Sequence, residues 1–160
     1  MKKYYLAYGS NLNIEQISRR CKTAKIIGSA IIKNYQLVYK GYDENSAYLT
    51  VEPSQGSYVP VGIYEISHID ELALDRYEGY PHLYHKKHVK ININGKEENA
   101  LIYVMNKNYD YNLPSKFYVK VCEAGYKDFN FDKKTLDEAL TITKQNIEKK
   151  DKTHKLFKNK

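Results

Sequence analysis

Val89, Ile91 and Ile93 alternate with polar residues up to Asn94-Gly95, and a second β-rich run returns from Ala100 to Met105. An Asn-Gly pair supplies the positive φ angles that a two-residue hairpin turn demands, so this stretch is committed to two antiparallel strands and no helix competes for it. Whatever fold the chain adopts must place an antiparallel sheet at its centre.

The surrounding segments agree. Lys3 to Ala7, Ala24 to Tyr39, Ser46 to Val51 and Val59 to Ile66 are apolar and β-branched in pieces and read as further strands, the last two on either side of a turn at Pro53 to Gly56. Between them come helices with start signals. Asn13 with Gln16 opens one whose Ile14, Ile17 and Cys21 recur at helical spacing. Ser67 with Asp70 opens a second, with Ile69, Leu72, Ala73 and Tyr77 expected on one face and Gly79 as its stop. Pro114-Ser115 starts a third with Phe117, Tyr118, Val121 and Cys122 on a shared face and Gly125 at its end. Asp132 caps a fourth through Leu136, Ala139, Leu140, Thr143 and Ile147. Strands in hairpin order with helices inserted between groups of them define an α+β arrangement.

At 160 residues the chain fits one domain, 1–149, followed by a basic, frayed tail, 150–160. The net charge is +7, and seven lysines against Glu148 and Asp151 place most of it between Lys144 and Lys160. Such an end is read as solvated rather than as a nucleic-acid or membrane contact. Seventeen tyrosines resemble a base-stacking surface in number only, because they are spread along the chain instead of gathered in one basic patch. Cys21 and Cys122 lack metal or redox spacing and fall on helix faces as core residues, and no long apolar segment occurs, so a reducing, cytoplasmic setting is expected. His82, His85 and His88 stand three apart but lead into a strand, where such spacing alternates faces, so no metal is assigned.

Two short stretches carry chemistry. Tyr8-Gly9-Ser10-Asn11-Leu12 turns a strand into a helix through a glycine, exposing backbone N–H groups suited to an anion or oxyanion. Ser10 lacks the glycine pattern of a nucleophile elbow and has no evident base. Glu78, at the end of Leu74-Asp75-Arg76-Tyr77-Glu78-Gly79, sits beside the negative pole of a helix and between Tyr77 and Tyr80, both of which bias its carboxyl towards keeping a proton. By itself each stretch has a structural explanation, a strand-to-helix connection and a solvated helix end.

Together with Tyr80-Pro81-His82-Leu83-Tyr84 and Pro114-Ser115-Lys116-Phe117-Tyr118, the pair resembles the gamma-glutamylcyclotransferase-like superfamily from the N-terminus to about residue 130. Tyr84, six positions after Glu78, resembles the plant avirulence-induced-gene-like and gamma-glutamylamine cyclotransferase branch. The resemblance implies a small, mostly antiparallel β-barrel flanked by helices, with the pocket at one mouth. It implies release of 5-oxoproline from a small gamma-glutamyl amide or peptide, with Glu78 as general acid and base and neither cofactor nor metal. Tyr8, Gly9, Ser10, Asn11, Leu12, Tyr84 and Tyr118 are carried over as substrate-binding residues. The leaving amine and the oligomeric state stay open. So do two other readings: a non-catalytic ligand-binding domain of the same fold, and nucleic-acid contact through the basic tail.

Overall fold

A computed structural model describes residues 2–158. Its elements are β1 (Lys3–Ala7), a single 3-10 turn (Ser10–Leu12), α1 (Ile14–Arg20), β2 (Lys25–Gly41), β3 (Ala47–Ile66), α2 (His68–Tyr77), β4 (Tyr84–Ile93), β5 (Lys96–Met105), β6 (Asp110–Tyr111), α3 (Lys116–Asp128) and α4 (Lys134–Lys158). The six strands lie in the order β4-β5-β1-β3-β2-β6, curled into a half-barrel with the four helices around it. This is the α+β, mostly antiparallel architecture expected. Among the described residues only β1 and β5 run parallel.

β1 is central because it is apolar on both faces: Tyr5, Leu6 and Ala7 are all buried. The β4–β5 hairpin turns through Asn94 and Gly95, at φ of 52° and 81°, as the Asn-Gly pair requires. Pro53 to Gly56 does not separate two strands. β3 runs on through it, and Ser54 to Ser57 bulge out opposite Asn34 of β2. The excursion is closed by a bond from the Gly56 N–H to Asn34 Oδ1 (3.0 Å) and one between the Ser54 and Ser57 hydroxyls (2.8 Å), so the ladder resumes beyond it.

Helix α2 turns a different side inward from the one its apolar residues suggest. Asp70 and Leu74 are buried, whereas Ile69 and Leu72 face solvent. The reason is polar. Desolvation alone would raise the Asp70 carboxyl, but bonds from the Thr23 hydroxyl (2.6 Å), the Thr23 N–H and the Ser67 N–H satisfy it and hold it below its usual range. The capping box with Ser67 is formed as the sequence indicates. Helix α4 also departs from expectation, continuing as an exposed helix from 150 towards Lys158 where a frayed tail was read; Asn159 and Lys160 lie outside the described residues.

Gly125 does not end α3, which runs three residues further. A Cβ there would lie 2.5 Å from the Asn13 backbone nitrogen and 2.7 Å from the Leu12 carbonyl carbon, so glycine lets α3 press against the turn after β1. This yields a prediction whose sign is diagnostic. Alanine inside a helix normally gains about 1 kcal/mol over glycine, yet Gly125→Ala is expected to destabilise by about 2 kcal/mol through overpacking. Equilibrium denaturation measures it.

Candidate active site

The turn after β1 and the end of α2 meet. They share a cavity of about 470 Å³ lined by Tyr8, Gly9, Ser10, Asn11, Glu78, Tyr84 and Tyr118 among others. Leu12 does not line it. Its side chain is buried in the core, where a Cβ on Gly62 or Gly125 would strike it. Tyr80 is likewise absent from the wall; its half-exposed ring lies under Lys86 Nζ, 4.4 Å away.

Glu78 is the cap residue of α2, and the chain reverses directly behind it. Gly79, at φ 63°, donates to the Arg76 carbonyl (3.3 Å) and Tyr80 to the Asp75 carbonyl (2.9 Å), the paired bonds of a Schellman motif. The motif fixes the Glu78 backbone while its side chain points into the cavity. Burial pushes the carboxyl up to about 8, and the Arg20 guanidinium opposes this only in part.

Asn11 connects that acid to the first helix. Arg20 Nη1 donates to Asn11 Oδ1 (2.7 Å), which turns the amide nitrogen towards Tyr5 Oη (2.9 Å) and Glu78 Oε1 (3.4 Å). Arg20 also donates to Gln16 Oε1 (2.5 Å), and its Cζ lies over the Tyr77 ring, 3.5 Å from its centre. Ser10 is bonded to the Tyr77 hydroxyl (2.8 Å). Among the described residues the N–H groups of Gly9, Ser10 and Asn11 have no acceptor within the protein, as a cradle for an incoming oxygen requires.

Tyr84 and Tyr118 have a structural task in common. β1 stops opposite Gly62, so β3 has no strand beside Leu49 on the cavity side. Tyr84 Oη donates to the Leu49 carbonyl (2.7 Å), and Tyr118 Oη accepts from the Leu49 N–H (3.1 Å). Tyr84 thereby commits its proton to the backbone, whereas Tyr118 accepts there and keeps its own to donate, and burial raises both phenols well above their ordinary value. Tyr8 is also tied down, donating to the Tyr103 carbonyl (2.6 Å). Gly9 passes close beneath Tyr118: a Cβ would come 3.3 Å from its hydroxyl and 3.4 Å from Leu49.

Sequence reasoning missed Arg20, Tyr5, Tyr48, Tyr77 as an arginine platform, and Tyr103. Arg20 was the most accessible of these, since a basic residue seven after the Asn13 cap returns to the side of the helix nearest that turn. Burial raises the thiols of Cys21 and Cys122 to about 11 and about 12. His85 Nδ1 is paired with Asn106 Oδ1 at 2.8 Å, and among the described residues no three metal-binding side chains converge. No described helix is long and apolar enough to cross a membrane.

The family model for gamma-glutamyl cyclotransferase, AIG2-like, matches residues 5–120, and the chain belongs to that family. Among solved structures it is similar to one described as gamma-glutamyl cyclotransferase (23% identity, TM-score 0.73, covering 87% of this chain and 86% of that one). It is similar to an uncharacterized protein from Homo sapiens (25% identity, TM-score 0.74, 86% of each chain). A third, YkqA from Bacillus subtilis, shares 16% identity at TM-score 0.70 over 89% of this chain and 54% of that longer one. No curated protein matches it.

The raised acid makes a stability prediction. Between about 4.5 and about 8 the folded state holds the Glu78 proton more tightly than the unfolded chain does, so this group's contribution declines as pH rises through that window. Glu78→Gln removes the decline. Its Tm is expected to match the parent at pH 4.5 and exceed it by on the order of 5 °C at pH 9, as thermal melts across the range will record.

Proposed function

We propose that this chain is a gamma-glutamyl cyclotransferase that converts a gamma-glutamyl amide into 5-oxoproline and a free amine, with Glu78 as acid and base. The observation that carries the reading is a carboxyl raised to about 8 inside a cavity and facing the Gly9-Ser10-Asn11 turn. The reaction needs one group that takes a proton from one nitrogen and returns it to another, which is best done by an acid poised near the working pH.

The substrate's α-ammonium first loses one proton to water. As the resulting amine attacks the side-chain carbonyl and the ring N–C bond forms, ionised Glu78 takes a second proton from that nitrogen. The carbonyl oxygen gains negative charge, which the free N–H groups of the turn can meet. Collapse of the tetrahedral centre breaks the bond to the leaving nitrogen, and Glu78 delivers its proton there. Two hydrogens end on the leaving amine and one on the ring nitrogen, and the carboxylate is restored.

Glu78→Gln is expected to lose 5-oxoproline formation by about 100-fold to 10,000-fold while remaining folded. Parent-like activity in that variant removes Glu78 from the chemistry. Because ionised Glu78 and the free substrate amine begin the cycle, kcat/KM for the parent is expected to rise with pH through about 8 and to level off once both groups have lost their protons. Activity that falls through the same range contradicts the assignment. The proton transfers of ring closure and of collapse are both given to Glu78, so EDTA is expected to leave the rate unchanged.

A further inference from the structure

The cavity has two unlike ends. Arg20 and Glu78 are the charged side chains among the residues that line it, and both belong to the end formed by α1 and α2. Two of the five guanidinium N–H donors of Arg20 are used, on Asn11 and Gln16, which leaves donors for a carboxylate. Glu78 beside it takes up the proton of an amine. That end matches the amino-acid head of a gamma-glutamyl group.

The opposite end is built by the first turn of α3 and the start of β3. Phe117 is 73% exposed there, and Tyr48 stands edge-to-face on Tyr118 with ring centres 5.2 Å apart. Asn45 and Ser115 line the cavity as well. Phe117 is fixed by the Ser115 cap of α3, whose side chain accepts from the Tyr118 N–H (3.1 Å), so its placement at the mouth is not that of a loose loop residue. Among the described residues no acidic or basic side chain lines this end to meet a charge carried by the leaving group. A cation over an aromatic face regains only part of its lost hydration, and the neutral Asn45, Ser115 and Tyr48 groups offer a carboxylate hydrogen bonds without an opposite charge.

We infer that the preferred leaving group is an uncharged amine bearing an aromatic or other apolar substituent, seated against Phe117 and Tyr48. This rests on the cyclisation proposed above, and it selects among amines that the reaction itself treats alike. The ring closure is the same for each; the difference lies in apolar surface withdrawn from water at the mouth.

The test compares four L-gamma-glutamyl conjugates, those of benzylamine, methylamine, alanine and the lysine side chain, by 5-oxoproline release. The benzylamide is expected to exceed each of the others in kcat/KM on the order of tenfold or more. In Phe117→Ala the benzylamide-to-methylamide ratio is expected to shrink towards one. A parent that turns over the alanine or lysine conjugate at least as well as the benzylamide overturns the inference and leaves the cyclisation intact. If none of the four releases 5-oxoproline, the cyclisation reading fails, and calorimetric binding to the parent protein then decides the mouth by itself. Tighter binding of the benzylamide than of the alanine and lysine conjugates supports it, and equal or weaker binding overturns it.

Discussion

The arrangement depends on Asn11 having its amide turned one way. Arg20 presents only donors, so the Asn11 carbonyl oxygen must face it and the NH₂ must face Tyr5 and Glu78. The Asn11 backbone carbonyl is taken by the Tyr64 hydroxyl at 2.9 Å, which ties the same residue to β3. One side chain therefore sets the relation between the end of β1, the first helix and the carboxyl delivered by α2. An aspartate in its place would put a second negative charge against Glu78, and a leucine would leave Arg20 and Tyr5 without their partners.

Arg20 moderates this site without neutralising it. It lies over Tyr77 and reaches Glu78 through an amide instead of by a direct ion pair, so its field lowers the carboxyl less than burial raises it. A direct pair would stabilise the ionised form and remove the proton affinity that the proposed cyclisation calls for. Tyr84 and Tyr118 supply the other half of the enclosure by substituting for a missing strand along Leu49. The cavity exists because β1 is short, and its wall holds because two phenols satisfy the backbone that β1 leaves open.

Much of this was legible in the chain. The Asn94-Gly95 hairpin, the Asn13, Ser67, Ser115 and Asp132 helix starts and the limits of β1 depend on local dihedral and capping chemistry, which short windows of sequence contain. Glu78 and the Gly9 turn were singled out, but sequence alone could not establish that they meet. Features set by remote partners were read wrongly. The Ser54 to Ser57 bulge depends on Asn34, the inward side of α2 on Thr23, and the role of Gly125 on Asn13. Leu12 was drawn into the site by its neighbours in a motif, although its side chain belongs to the core.

The parallel pairing of β1 with β5 also bears on how the molecule comes together. Tyr4 and Tyr5 align with Ala100 and Leu101, and the turn that follows β1 is pressed from outside at Gly125. A ribosome emitting this polypeptide releases β1 before β5 and α3. Long-range closure of that kind is slow, because loop entropy is spent before any contact compensates it. The side of β1 that β5 covers therefore stays open until Ala100 and Leu101 have been made.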